Sequence, residues 1–304
     1  MNTVMTVHGP VPASDLGIVL IHEHLSINTI REYRSDGLVN DLDLAVRELT
    51  AFRAAGGGTI VELTTPNLGR DPALLRRASE ESGVHIVMGC GYYRDPYIVD
   101  TGADRMSVLD LTETLVDEIV NGVGPHRVRP GIIGEVGADA PWISALEERT
   151  LRAAGAAQLQ TGLTLSLHAA RWQVGERLLD VLDDVGVPMA RVIIGHLDTV
   201  NDRTYHLRIA ARGCWLEFDG FASRSDYDVK RQIDGIRAII DAGHDDQILI
   251  SHDLFRLSHY AAYGGVGFTF ILDHVCQQLS NAGLSDGDID KLVRANPQRA
   301  LVGS

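Results

Sequence analysis

The chain has 304 residues, a formal net charge of −14 and 45% hydrophobic residues. That acidity argues against a nucleic-acid groove or an anionic membrane surface as partner, since both call for clustered Lys and Arg. Three scattered cysteines (Cys90, Cys214, Cys276) do not make a disulfide framework, and there is neither a signal-peptide pattern nor a run of about 18 apolar residues, so a cytoplasmic location is expected.

Residues 1–16 carry Val4, Val7 and Val11 around Gly9-Pro10 and predict a short hairpin ahead of the main fold. Apolar, β-branched runs bounded by turn signals then predict strands near 17–24, 59–65, 85–91, 130–136, 163–168, 191–196, 214–219 and 247–252. Helical spacing stands out between them at 42–49, 109–120, 144–161, 174–185, 204–211, 229–242 and 268–281. Strand-then-helix alternation of this length predicts an α/β fold, a (β/α)8 TIM barrel. No linker or low-complexity stretch divides it, so 1–304 reads as one domain with the hairpin as an extension. An open doubly wound sheet shares the alternation. The barrel is preferred because it makes the first and last strands neighbours, and both end in candidate ligands of one site.

Those candidates are the main functional signal. His22 and His24 close Gly-Ile-Val-Leu-Ile-His-Glu-His, Glu135 closes Gly-Ile-Ile-Gly-Glu, and His168 closes Leu-Thr-Leu-Ser-Leu-His. His196 closes Val-Ile-Ile-Gly-His, and Asp253 closes Ile-Leu-Ile-Ser-His-Asp. A buried strand end tolerates an imidazole or carboxylate only with a partner to satisfy it. Six nitrogen and oxygen donors without thiolate suit two divalent ions, Zn2+ first, with Mn2+, Fe2+ or Co2+ as alternatives. His22 and His24, two apart on a strand, share a face, and Glu23 is expected to point the other way. Glycines 131, 134 and 137 are expected to clear space around Glu135 as a bridging carboxylate; an arginine-paired buried glutamate is the alternative. Asp253 is also the candidate catalytic proton acceptor.

The other histidines read as structural. His8, His126, His206, His244 and His274 are expected in solvated turns or helices, and His85 sits at the wrong end of its strand. His252 is expected to support Asp253 from behind, and His259 to lie near substrate. Tyr92, Tyr93, Arg224 and Arg256 fall on loops at the site end of the barrel and are the candidate substrate-binding residues, the arginines as anchors for a carboxylate, phosphate or sulfonate. Ordinary surface ion pairs are the competing reading for both arginines. Tyr263-Gly264-Gly265-Val266-Gly267-Phe268 follows no strand in a dinucleotide pattern and is read as a flexible active-site loop.

With these motifs the chain resembles the phosphotriesterase family of the amidohydrolase superfamily over nearly its whole length. The match runs through Leu20-Ile21-His22-Glu23-His24-Leu25, Gly91-Tyr92-Tyr93, Gly131-Ile132-Ile133-Gly134-Glu135-Val136-Gly137, Gly195-His196-Leu197-Asp198, Ser251-His252-Asp253 and Asn296-Pro297. The resemblance implies that His22, His24 and Asp253 bind a more buried ion, that His168 and His196 bind a more exposed one, and that Glu135 bridges them. Many members carry a carboxylated lysine at the bridge; Glu135 here resembles the glutamate-bridged branch, the phosphotriesterase homology and phosphotriesterase-related proteins. The implied activity is attack of a metal-bridging hydroxide on a small lactone, carboxylic ester or N-acyl amide. A phosphoesterase is the alternative, and a non-catalytic metal-dependent binding protein a further one. The expected partner is a small-molecule substrate, with no nucleic acid and no membrane, and homodimer formation is compatible with the sequence.

Overall fold

The computed structural model describes residues 2–302; Met1, Gly303 and Ser304 lie outside the described residues. Eight parallel strands form one sheet in sequential order. They are β1 (Ile18–Glu23), β2 (Gly57–Glu62), β3 (His85–Cys90), β4 (Ile132–Ala138), β5 (Leu165–Ala169), β6 (Val192–Ile194), β7 (Trp215–Phe218) and β8 (Ile248–Ile250). All eight coincide with predicted strands.

The helices outside them are α1 (Leu42–Ala54), α2 (Pro72–Ser82), α3 (Val108–Asn121), α4 (Ala145–Thr161), α5 (Gly175–Val185), α6 (Arg203–Ala211), α7 (Asp226–Asp241) and α8 (Cys276–Asn281). Their starts follow local chemistry. Asp41, Asp71, Ser107, Ser144, Asp202 and Ser225 each accept from a backbone amide of the first turn. The periodicity did not single out α2, although Asp71-Pro72 at its start and the left-handed Gly83 at its end mark it.

The predicted hairpin is present as Thr3–Thr6 paired antiparallel with Gly9–Pro12. It closes the amino-terminal end of the barrel, where Val4 and Leu16 join Val19, Ile21, Val61, Val87, Ile193, Leu249 and the carboxyl-terminal Leu301 in one buried cluster. The intervening strand residues, among them Leu20, Ile60, Ile86, Ile133, Ile194 and Ile250, pack in the larger cluster beneath the helices. The alternation therefore separates a lumen layer from a helix-facing layer.

Two strands break that alternation where the site begins. Leu20 pairs with Ile60 and Glu23 with Glu62, so β1 takes three steps against two on β2. Likewise Ile133 pairs with Leu165 and Val136 with Leu167. Each is a one-residue bulge, which turns the strand and re-aims the side chain it carries. Ile133 and Val136 both pack under the helices, which frees Glu135 for the lumen. The glycines flanking Glu135 have a different task from the one expected. A Cβ on Gly134 would lie 2.6 Å from the Ser166 carbonyl oxygen, and one on Gly137 would collide with that of His168. They let β4 approach β5 closely rather than clearing space around the carboxylate.

Between β8 and β1 the barrel closes through Ser251 and Asp253 rather than a regular ladder. Ser251 Oγ accepts from the His22 amide at 3.0 Å, and the Asp253 amide donates to the His22 carbonyl at 3.2 Å. Among the described residues no helix is long and apolar enough to cross a membrane. The close approach of β4 and β5 yields a test. Gly137→Ala is expected to destabilise the fold by about 1–3 kcal/mol, read as a lower urea midpoint at unchanged m-value.

Candidate metal centre

The structure brings the six predicted ligands together at the carboxyl-terminal rim of the barrel. His168 Nδ1 and His196 Nε2 approach the same oxygen of Glu135, Oε2, at 2.6 and 2.7 Å. The other oxygen, Oε1, lies 3.8 Å from His22 Nε2. Asp253 Oδ1 is 3.1 Å from His24 Nε2 and 3.8 Å from His22 Nε2. Glu135 thus presents one oxygen to His168 and His196 and the other to His22, while Asp253 stands by His22 and His24.

His22 Nε2 is buried without a hydrogen-bond partner, and it faces two carboxylates just beyond bonding reach. Donors that share one cation at about 2.0–2.2 Å stand roughly 3–4 Å apart, so these separations fit a shared ion. His22, His24 and Glu135 form one group able to hold a metal, and Glu135, His168 and His196 another. The structure contains groups for two ions with Glu135 common to both. A third grouping, His22, His196 and Asp219, is better read as support, because Asp219 meets the Nδ1 atoms that face away from Glu135.

Those Nδ1 contacts come from residues that the sequence reading missed. Asp219 Oδ1 accepts from His196 Nδ1 at 2.9 Å, and its Oδ2 accepts from the His196 amide at 2.9 Å. Glu217 Oε2 lies 3.1 Å from His22 Nδ1, and Thr64 Oγ1 lies 2.8 Å from His24 Nδ1. Carboxylates behind ligating histidines fix ring orientation and raise basicity. The available signal was Leu216-Glu217-Phe218-Asp219, two acids alternating with apolar residues in a strand whose positions are otherwise buried.

Charge is concentrated here. Burial would lower the His22 imidazole, but Glu217 and Glu135 outweigh it and hold it well above its ordinary value. The same opposition, with Asp219 foremost, raises His196. Burial works against ionisation of Glu135, yet His168 and His22 bring it well below the usual carboxylate range. Burial pushes Glu217 up to about 7. His196 and Asp253 also hold left-handed backbone conformations, φ 60° and 55°. Such conformations cost on the order of 1–3 kcal/mol and persist only where surrounding contacts fix them. Here the two amides are fixed by Asp219 and by the His22 carbonyl.

Glu23 is fully buried and turns to the loop that follows β8, one of the two directions expected for it. It binds the end of β8, accepting from the His252 amide (2.9 Å), His252 Nδ1 (2.8 Å) and the Leu254 amide (3.0 Å). His252 Nε2 accepts from the Ile271 amide at 3.0 Å, so His252 braces the segment bearing Asp253. His206 is buried rather than solvated, its Nε2 within 2.9 Å of the Leu197 carbonyl and 2.8 Å of the Val200 carbonyl.

A cavity of about 190 Å³ opens above the cluster, with Glu135, His168, His196 and Asp253 exposed to it. Of the predicted substrate contacts it includes Tyr93, whose ring packs edge-on against His168 with centroids 4.8 Å apart. Tyr92 is not among the lining residues and packs against the small cluster of Ile98, Ala103, Leu111 and Ala153. Arg224 is exposed and donates to the Gly265 carbonyl at 2.8 Å, outside the cavity lining. Arg256 also lies outside it, donating from Nε to His259 Nε2 at 2.9 Å and stacking over Tyr33. His259 is occupied by that contact and does not line the cavity. The glycine-rich 263–268 segment is likewise tied down: Gly265 holds Arg224, and the Gly267 amide donates to the His259 carbonyl. The lining arginines are instead Arg94 and Arg171, neither singled out by sequence.

An eight-stranded barrel with histidines and carboxylates converging at the carboxyl ends of its strands is a scaffold of the kind on which metal-assisted hydrolysis is built. The chain belongs to the phosphotriesterase family, whose model matches residues 2–301. It is 36% identical over 275 residues to an N-acetyltaurine hydrolase of Dictyostelium discoideum, covering 86% of this chain and 74% of that protein. It is 31% identical to the N-acetyltaurine hydrolase of Homo sapiens, covering 98% of this chain and 97% of the relative. Among solved structures, the phosphotriesterase homology protein of Escherichia coli, complexed with phosphate in its active site, superposes with a TM-score of 0.90 at 29% identity, covering 94% of this chain and 99% of that one.

The carboxylates behind the histidines yield the next test. Asp219→Asn is expected to weaken metal retention about 10- to 100-fold, measured by chelator competition on folded protein. Unchanged retention would remove the orienting role given to Asp219.

Proposed function

We propose that the protein hydrolyses a small N-acyl amide with two divalent ions, zinc first, held by His22, His24, Glu135, His168, His196 and Asp253. The observation that carries this reading is the convergence of three buried histidines on the two oxygens of Glu135, with His24 beside them at Asp253, directly beneath a cavity. When bound, ions in such a cluster activate water as a nucleophile and polarise the acyl oxygen. The cavity of about 190 Å³ is smaller than the roughly 300–1,000 Å³ of drug-sized pockets, which favours a short substrate. The names of the relatives support amide over lactone or ester within that class.

The chain's own residues supply the proton traffic and the positioning. The Asp253 side chain is 18% exposed, at the cavity floor, and is held beside His24. From there it accepts a proton from the attacking water and returns it to the departing amine nitrogen, so the bond breaks without expelling an amide anion. Tyr93 and Phe255 form walls that limit water around the scissile bond. A phosphoester substrate is the second reading, favoured by the phosphate in the active site of the Escherichia coli relative.

Purified protein is expected to carry close to two divalent ions per chain. Elemental analysis that finds none after metal-supplemented expression, with the protein folded, would refute the cofactor assignment. Asp253→Asn is expected to lower kcat at least about 100-fold, with less metal loss than His22→Ala. Short N-acyl amides such as N-acetyltaurine are expected to exceed phosphotriesters in kcat/KM. A panel in which triesters lead by about tenfold or more would favour the second reading.

A further inference from the structure

Arg94 and Arg171 line the same cavity and differ in how far their charge is spoken for. Arg94 is 6% exposed. Its Nη2 donates to both oxygens of Glu32 at 2.9 Å, its Nη1 donates to the Asp95 carbonyl at 3.0 Å, and Asp139 lies 3.4 Å away. Its guanidinium also stacks over Tyr93. Arg94 is a fixed part of the wall.

Arg171 has a 58% exposed side chain, and its charged partner among the described residues is Asp139 at 3.3 Å. Asp139 itself is only 5% exposed, but the same carboxylate oxygen also meets Arg94, so one carboxylate is shared by two guanidinium groups and the solvent-facing one is incompletely compensated. If Arg171 leaves it, Asp139 keeps Arg94. The backbone beneath is by contrast held firmly. Arg171 adopts φ 70°, and its amide donates at 2.7 Å to Thr199 Oγ1, which itself donates to the His196 carbonyl at 2.6 Å. Arg171 follows His168 by three residues and is tied through Thr199 to His196. An available guanidinium therefore stands on a loop fixed to the two histidines on the cavity side of the cluster.

We infer that Arg171 is the specificity-determining residue for an anionic substrate: it binds a sulfonate or carboxylate on the amine portion of the N-acyl amide while the acyl carbonyl sits over Glu135, His168 and His196. The inference rests on the amide reading above and deepens it. Two oxygens of a carboxylate or a sulfonate can meet the fork of donors that arginine offers, and lysine matches such a pair less well. The short cavity makes one reach serve both ends of the substrate: a group that extends from the scissile nitrogen toward the rim meets Arg171, whereas Arg94 remains engaged by Glu32.

The test compares metal-loaded wild type, Arg171→Met and Arg171→Lys on N-acetyltaurine (sulfonate), N-acetyl-β-alanine (carboxylate) and N-acetylethanolamine (neutral). Wild type is expected to prefer the anionic amides. Arg171→Met is expected to reduce the ratio of anionic to neutral kcat/KM about 10- to 100-fold, mainly through KM, with partial recovery in Arg171→Lys. The two anionic arms show which oxyanion the site takes. A wild type without anionic preference, or a ratio unchanged in Arg171→Met, overturns the assignment while amide hydrolysis stands. If wild type cleaves no amide, the amide reading itself fails. Calorimetric titration with 2-hydroxyethanesulfonate then decides the anchor: weaker binding to Arg171→Met than to wild type upholds it, and equal binding or none to either overturns it.

Discussion

Glu135 is enclosed at the top of the barrel, with one oxygen meeting His168 and His196 and the other facing His22. A buried carboxylate is costly unless positive charge or donors compensate it on every side. Glu217 and Asp219 place further acid groups behind the same histidines, Asp219 with its carboxylate held ionised by them. Their presence is hard to reconcile with stability alone. Buried acids ringed by imidazoles make a site that favours cations, and their placement behind the rings orders the donors before a cation arrives. The energetic cost of the cluster is thus matched to metal binding, and surrounding features serve to hold it in place.

The barrel achieves this with local irregularities in an otherwise regular scaffold. Strict alternation from Ile132 would send Glu135 under the helices with Ile133. The bulge in β4 corrects that, and the glycines on either side allow β5 to come close enough to present His168. β1 uses the same device before Glu23, which clamps the end of β8 through Ser251, His252 and Leu254. The joint between the first and last strands is therefore also the support for Asp253. Barrel closure and ligand placement are one set of interactions.

That coupling explains what the sequence revealed. An imidazole or carboxylate at the end of a buried apolar run is conspicuous in one dimension, so all six cluster residues were legible, as were the eight strands. The register in which they meet was not. A bulge is defined by two strands together, and neither strand alone shows that one takes an extra step. Glu217 and Asp219 were hidden for another reason: they look like the outward positions of a half-exposed strand until the fold buries them. The cavity contacts were least legible. Arg224 and Arg256 occupy the same end of the barrel as the site, but the chain folds them onto Gly265 and His259.

The division between cluster and loops also locates where selectivity must arise. The candidate ligands are fixed by strand ends, by bulges and by acids deep in the wall, so substitutions there are expected to change whether the protein binds metal. The cavity above is built mainly from loops after β1, β3 and β5, with Tyr33, Tyr93, Tyr97 and Arg171 among its walls. The loop after β7 stays outside it. A hydrolytic centre of this type attacks many acyl and phosphoryl groups with the same geometry. Discrimination then depends on what the rim can bind at the far end of the substrate. With Arg94 neutralised by Glu32, the rim charge least committed to the protein is that of Arg171, and on the proposed amide reading the chemistry of its ligand would set which substrate reaches the cluster.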